Sequence, residues 1–340
     1  MISAGIGHFF RSKRLSIGET FKLPIFDPST MAQKEIDISV KAKEKVNIRR
    51  VSYDAFRLET ELWGKTLTFW VDENGTTLKE QGFMGLTTIK SSAARAPRDL
   101  EREGDIDFYD MTAVSVEKPL QHPRRLTYLK MKLDGIDHMR TELETLNSER
   151  QRFQDGVMEI TLEKPPYKSG YLLPYDEFND DLRAFIGPEF TIESDNETIV
   201  RQAQRIKGDK KQPLAVARSL MNWVYLNLEK RPVVSVPSAL EVLQTKVGDC
   251  NEHATLLTAL LRASGIPARL SIGLVYTRNK FFYHAWTEAY VGRWISMDAT
   301  LNQMPVDATH IKLIEGNLDK QVEIAGFIGT IKIEIMDFKK

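Results

Sequence analysis

One run of residues limits the fold more than any other part of the chain. Residues 254–263 are almost wholly apolar, and the run ends at the Ser-Gly-Ile-Pro sequence of residues 264–267. Its length and its closing glycine and proline predict a helix that is apolar on nearly all sides. Such a helix has no face suited to solvent, so it must lie in a core between a sheet and other helices.

The only cysteine of the 340-residue chain, Cys250, lies at the start of this helix. The unpaired N–H groups of a helix N-terminus favour a thiolate and can also receive a developing oxyanion. Cys250 is therefore a candidate nucleophile, although a small cysteine buried in the core is a common alternative. Its polar neighbours Asp249, Asn251 and Glu252 favour an exposed helix start.

A cysteine nucleophile needs a base, usually a histidine, and a group that orients the histidine. Two predicted strands downstream supply His284 and Asp298, which have the same parity. A three-residue loop at 291–293 would make them diagonal neighbours on one face, whereas a two-residue loop would put them on opposite faces. Trp286 falls on the same face and could shield the site from water.

His253 follows Cys250 by three residues, on nearly the same helical face. It could compete as the base or form a Cys-His metal pair. A base on the same helix would point along the helix rather than across a cleft, and no second cysteine or tight histidine cluster completes a metal site. We therefore expect a packing or hydrogen-bonding histidine beside the site, and no metal.

Composition argues against several classes of function. The formal net charge is zero, whereas binding to a nucleic-acid backbone needs a basic surface. One cysteine excludes an internal disulfide and a multi-cysteine zinc site. No segment approaches the ~20 apolar residues of a membrane-spanning helix. The first residues carry no signal-peptide pattern, although a leader could have been removed. The compartment and the oligomeric state stay open.

The periodicity of the sequence changes near its middle. Residues 36–163 alternate mainly with period two, and Asn74-Gly75 predicts a hairpin with positive φ at both residues. The prolines and glycine of residues 164–175 predict a linker. A period of 3.6 then predicts helices; their approximate ranges are 197–207, 213–228 and 237–243.

We therefore predict an α+β protein of two domains. Residues 1–164 would form an antiparallel, β-rich N-terminal domain of unknown role. Residues 165–340 would form the catalytic domain, with helices packed on an antiparallel sheet.

Four ordered motifs resemble the transglutaminase-like superfamily, and most closely its bacterial members. The motifs are Gly248-Asp249-Cys250-Asn251-Glu252-His253-Ala254, Gly265-Ile266-Pro267-Ala268-Arg269, His284-Ala285-Trp286-Thr287-Glu288 and Met297-Asp298-Ala299-Thr300. The resemblance covers about residues 190–316 and leaves out the N-terminal half. It implies a papain-like core with Cys250 as nucleophile, His284 as base and Asp298 as the orienting carboxylate.

The resemblance also implies the chemistry. The thiolate would attack a carboxamide carbon of a protein or peptide substrate, and the thioester would pass to water or to a lysine amine. We prefer protease- or amidase-like hydrolysis, because the bacterial relatives are often described so; acyl transfer that cross-links glutamine to lysine is the alternative. No calcium or organic cofactor is implied. An exported or periplasmic location is consistent with the bacterial members.

Three points stay open within this resemblance. Related enzymes often place a second oxyanion donor upstream of the thiol, where Gln244 fits, although a surface glutamine is the alternative. His310 and Asp307 follow the last motif, and we expect a structural role in a loop for both. A non-catalytic binding or scaffold module that keeps the fold is the alternative of another class.

Overall fold

The structure is a computed structural model of the chain. It describes residues 9–10, 13–27, 32–62, 65–82, 87–92, 112–136, 146–167, 169–175, 178–231, 238–316 and 329–340. The chain divides into two compact units. The first comprises residues 1–112 with 322–329, and the second comprises residues 113–321 with 330–340.

The first unit holds a six-stranded antiparallel sheet in which each strand pairs with the next along the chain. The strands are β1 (Thr20–Asp27), β2 (Ala32–Ile48), β3 (Val51–Leu62), β4 (Lys65–Val71), β5 (Thr77–Gln81) and β6 (Thr87–Ile89). Alternate residues of β2, such as Ile36 and Ile38, are buried. The predicted period-two pattern therefore corresponds to one buried sheet face.

The predicted hairpin lies between β4 and β5, but its turn differs from the prediction. Among its residues only Gly75 has a positive φ, of 74°. The loop is longer than two residues because Asp72 closes it: its Oδ1 accepts from the N–H of Asn74 at 2.9 Å and of Thr76 at 2.8 Å. A side-chain cap thus replaces the two-residue turn.

The second unit contains the remaining strands and all the longer helices of the described residues. Its strands are β7 (Val114–Ser115), β8 (Tyr128–Asp134), β9 (Gln151–Gln154), β10 (Val157–Thr161), β11 (Glu229–Lys230), β12 (Val247–Gly248), β13 (Ala268–Thr277), β14 (Lys280–Tyr290), β15 (Trp294–Met297), β16 (Ile311–Glu315) and β17 (Lys332–Lys339). Its helices are α1 (Asp180–Arg183), α2 (Glu197–Lys207), α3 (Pro213–Asn227), α4 (Ala239–Thr245) and α5 (Cys250–Ala263), with a 3-10 turn at Pro123–Arg125.

Two antiparallel sheets organise this unit. One has the strand order β17-β8-β10-β9, and the other has the order β15-β14-β13-β16, with β7 paired to β14. The helices pack on the second sheet, so the α+β class is confirmed. No helix of the described residues is long and apolar enough to cross a membrane.

The boundary between the units lies earlier than the sequence predicts, at residues 112/113 instead of 164/165. The reason is that β8 to β10 belong with the sheet of β13 to β16. Gln151 at the start of β9 donates from Nε2 to the backbone oxygen of Lys312 at 2.7 Å and accepts its N–H at 2.8 Å. Arg150 donates to the backbone oxygen of Asp307 at 2.9 Å. Such long-range contacts leave no pattern in the sequence.

The apolar helix α5 forms the centre of the core, as its composition predicts. Residues 252–262 are all buried. The helix packs against α2, α3 and α4 on one side and against β13 and β14 on the other. Thr287 of β14 faces the helix and donates from Oγ1 to the backbone oxygen of Ala254 at 3.2 Å. This packing fixes the start of α5, and so Cys250, against the sheet.

Candidate active site

The start of α5 is built by a reciprocal capping box. Asp249 is the N-cap, and its side chain accepts from the backbone of the first turn. Glu252 returns the bond by accepting the Asp249 N–H on Oε2 at 2.8 Å. The box pairs donors that would otherwise be unsatisfied and sets the direction of the first turn. Cys250 therefore has a defined position, and its side chain is partly exposed.

The hairpin of β14 and β15 brings together His284 and Asp298. Tyr290 pairs with Trp294, which leaves the three-residue loop 291–293. Gly292 in this loop has a φ of 100°, which favours glycine. This is the register that places the two candidates on one face, and His284 Nε2 lies 2.8 Å from Asp298 Oδ2.

The ring of His284 is hydrogen-bonded to Asp298 through Nε2, which leaves Nδ1 as the ring nitrogen available to the thiol of Cys250. Burial lowers the pKa of His284, but the charges and hydrogen bonds of Asp298 and Cys250 outweigh burial and raise this pKa to about 9. The ring is therefore protonated at neutral pH.

The carboxylate of Asp298 is fully buried and accepts four hydrogen bonds. Oδ1 accepts from the N–H groups of Thr300 at 2.7 Å and Leu301 at 3.0 Å. Oδ2 accepts from His284 and, at 3.1 Å, from Nε2 of His310. Burial alone would raise the pKa of Asp298, yet the two histidines hold it well below its usual range. A buried carboxylate with these partners stays ionised and accepts only.

The sequence does not predict the contact between His310 and Asp298. His310 is fully buried, and its Nδ1 lies 3.6 Å from Asp307 Oδ1, longer than a hydrogen bond. Asp307 in turn accepts from Arg124 at 2.7 Å. The prediction of a structural role in a loop is thus incomplete for His310, because this residue also contacts Asp298 of the candidate site. Residues 307–313 follow closely after the last motif, but the pairing of β16 with β13 could not be placed from sequence.

Trp286 lies beside both histidines of the candidate site. It is 1% exposed, and its ring stacks near His284 with 6.3 Å between centroids. The same ring meets His310 edge-on at 5.3 Å. Trp294 does not join Trp286, because its ring packs against Arg269, with 4.1 Å to the guanidinium carbon. Trp286 therefore covers one side of the rings of His284 and His310.

Among the described residues, one group has the residue types to hold a metal ion: His284, Asp298 and His310. The two nitrogens lie 2.8 and 3.1 Å from the same carboxylate oxygen. These are ordinary N–H···O distances, so hydrogen bonds account for the cluster without an ion.

His253 and Gln244, two further predicted site residues, differ in burial. His253 is fully buried, and its Nδ1 lies 2.6 Å from the backbone oxygen of Asp249. Burial lowers the pKa of His253, so the ring is neutral. Gln244 lies on α4 and is exposed. No hydrogen bond within the described part of the chain joins Gln244 to the candidate triad.

A charged cluster lies further along the face of β14 that carries His284. Glu288 accepts from Arg269 at 2.8 Å and from Lys312 at 3.0 Å. Burial raises the pKa of Glu288, but Lys312 and Arg269 outweigh burial and lower this pKa to about 2. The cluster lines a cavity of about 370 Å³. Arg269 and Glu288, the last residues of two of the sequence motifs, thus form an ion pair.

Comparison with protein families supports the resemblance. Residues 200–299 match the model of the transglutaminase-like superfamily. The matched segment contains Cys250, His284 and Asp298, and it ends one residue after Asp298. The resemblance that the motifs predict is therefore confirmed for this segment. No curated protein matches the chain in sequence.

Solved structures match parts of the chain at low sequence identity. A candidate cysteine protease from Cytophaga hutchinsonii is 19% identical, with a TM-score of 0.41, over 63% of this chain and 86% of the other. The periplasmic domain of TgpA from Pseudomonas aeruginosa is 16% identical, with a TM-score of 0.32, over 66% and 80% of the two chains.

Proposed function

We propose that this protein is a thiol enzyme that acts on amide bonds of protein or peptide substrates through a Cys250-His284-Asp298 triad. The observation that carries the proposal is the hydrogen bond of His284 to Asp298, together with the pKa of the His284 ring, which Asp298 and Cys250 both raise. The superfamily match over residues 200–299 supports a thiol-dependent enzyme independently of this geometry.

In the proposed first half-reaction, Cys250 Sγ attacks the carboxamide carbon, and the carbonyl oxygen becomes an oxyanion. The backbone N–H of Cys250, at the N-terminus of α5, is one donor to that oxygen. The protonated ring of His284 then gives its proton to the leaving nitrogen as the C–N bond breaks. A thioester on Cys250 and free ammonia or amine are the products.

In the proposed second half-reaction, water or an amine attacks the thioester carbon. Neutral His284 takes the proton of the attacking group, the C–S bond breaks, and the thiolate reforms beside the imidazolium. Asp298 remains ionised throughout and orients the ring.

Hydrolysis is our preferred outcome, by analogy with the bacterial members of the superfamily. The test incubates the protein with a panel of glutamine-containing peptides, with and without a labelled primary amine. Ammonia release or peptide cleavage that is independent of the amine supports hydrolysis. Incorporation of the label, with no ammonia release or peptide cleavage when the amine is absent, would overturn the preference in favour of acyl transfer. The Cys250→Ala variant is the matched control, and it should show neither product.

Three further parts of the proposal need their own tests. If Gln244 is the second oxyanion donor, Gln244→Ala should lower kcat at unchanged KM. An unchanged kcat would contradict this role.

An exported location predicts that the native protein is found in the periplasmic fraction of its cells. A binding or scaffold module would show no enhanced reactivity of the Cys250 thiol.

A further inference from the structure

One oxygen of Asp298 accepts from two imidazoles. His284 Nε2 lies 2.8 Å from Oδ2, and His310 Nε2 lies 3.1 Å from the same atom. Both rings are buried, and their centroids are 5.8 Å apart. The proposed reaction uses only the first of the two. The second donor, His310, is buried and is hydrogen-bonded to the same carboxylate that orients His284.

Asp307 fixes the loop that carries the second ring, although it makes no hydrogen bond to the ring itself. Asp307 Oδ1 accepts from the backbone N–H of Thr309 at 2.8 Å and from its hydroxyl at 2.6 Å, which fixes the loop that ends at His310. Trp286 packs edge-on against the His310 ring at 5.3 Å. Rotation of His310 away from Asp298 would therefore disturb a closed arrangement of buried groups.

Two arginines outside the matched segment 200–299 hold this loop in place. Arg124 donates from Nη1 to Asp307 Oδ2 at 2.7 Å and from Nη2 to the backbone oxygen of Tyr276. Arg150 donates to the backbone oxygen of Asp307 at 2.9 Å. Residues that lie before the linker in sequence thus set the position of a ring beside the candidate triad.

We infer that His310 is a positioning residue for Asp298, which holds Oδ2 towards His284 and shares the charge of the carboxylate between two donors. The inference rests on the proposed function, because positioning matters only if the triad acts. A ring with a purely structural role would stabilise the loop but leave the titration of His284 unchanged. That titration therefore separates the two roles.

The test compares His310→Gln with His310→Met. Glutamine keeps an N–H donor at about the reach of Nε2, whereas methionine has similar length and no donor. Without the donor of His310, the negative charge of Asp298 interacts with His284 alone. We expect the His284 ring, followed by NMR, to titrate roughly one pH unit higher in H310M and as in the wild type in H310Q. We also expect kcat/KM to fall about tenfold in H310M at unchanged KM, with recovery in H310Q.

A second pair of variants covers the case in which H310M does not fold. Arg124→Gln releases Asp307 while His310 stays intact, and Arg125→Gln changes an exposed arginine next to it. R124Q should move the His284 titration in the same direction, by less, and R125Q should not move it. An unchanged titration in H310M, or in R124Q where H310M is unfolded, would overturn the inference.

The NMR readout does not depend on turnover. If the wild type shows no Cys250-dependent activity, the proposed function fails while the coupling of His310 to His284 is still measured. If the wild type is active and H310M titrates like the wild type, only the role of His310 fails.

Discussion

Asp298 lies 14 residues after His284, and the two side chains meet through a hydrogen bond of 2.8 Å between Oδ2 and Nε2. The contact depends on the length of one loop. Because Tyr290 pairs with Trp294, residues 284 and 298 share a sheet face. One residue fewer in the loop would turn Asp298 to the other face. The charge of Asp298 then keeps His284 protonated beside Cys250.

Removal of that charge should impair turnover. Asp298→Asn keeps the size of the side chain and one acceptor oxygen, but it no longer favours the protonated ring. We expect kcat/KM on an amide substrate to fall by about 10²–10⁴-fold. The control is Asp195→Asn, at an exposed aspartate of the same unit. Equal activity of D298N and the wild type would contradict an orienting role for Asp298.

The stability of the protein should depend on the protonation of His284. Its pKa of about 9 in the folded state exceeds the ordinary value of 6.5. The stabilisation is therefore fully present below about pH 6.5 and is lost as the pH rises through 9. We expect the free energy of unfolding to fall over this range by up to roughly 3 kcal/mol from this group.

The control for this pH dependence is Cys250→Ser, which removes one of the two negative partners of His284. Its free energy of unfolding should fall less between pH 6.5 and 9 than that of the wild type. Urea denaturation at fixed pH values measures both proteins. The same fall in both would show that the thiol does not act on the ring.

Glu252 should destabilise the folded protein when it ionises. Burial, and then the hydrogen bond and charge of Asp249, raise the pKa of Glu252 to about 7. The folded state therefore loses stability as the pH rises from about 4.5 through 7. Glu252→Gln keeps an acceptor for the Asp249 N–H without the charge. We expect E252Q to be more stable than the wild type at pH 8, by up to roughly 3 kcal/mol.

The matched control for E252Q is Glu241→Gln, at an exposed glutamate in the first turn of α4. It should change the free energy of unfolding little at pH 8. Lower stability of E252Q at that pH would mean that the ionised capping box holds α5 better than the neutral one.

Gly248 should tolerate no side chain, because Glu252 packs over it. A Cβ at Gly248 would lie 2.2 Å from Cβ of Glu252, whereas a Cβ at Gly187 would meet no atom within 4 Å. Gly248→Ala should therefore displace the capping box and destabilise the protein by about 1–3 kcal/mol. Gly187→Ala should have little effect. Thermal unfolding of both variants measures the difference, and equal melting temperatures would contradict the role of the glycine.

Local patterns in the sequence predicted the parts of the site that lie within one helix or one hairpin. The apolar run, its closing glycine and its polar start were enough to predict helix α5 with Cys250 at its N-terminus. The parity of His284 and Asp298, with a plausible loop, was enough to state the register on which their contact depends. The β-rich start and the helical second half were also predicted.

Contacts between distant segments could not be predicted. His310 reaches Asp298 because β16 pairs with β13, across a bulge between Ile272 and Gly273. Gly273 allows this pairing, since a Cβ there would lie 1.9 Å from the backbone oxygen of Ile311. No periodicity encodes such a pairing. The same limit explains the boundary at 112/113, which follows from bonds between β9 and β16.

The central claim is that His284 activates the thiol of Cys250. The most direct measurement is the rate constant for alkylation of Cys250 by iodoacetamide between pH 5 and 10, in the wild type and in His284→Ala. The account predicts that the wild type reacts at least about tenfold faster than H284A at pH 6.5, whereas H284A follows the profile of an ordinary thiol. Identical profiles for the two proteins, both matching a free cysteine derivative, would contradict it.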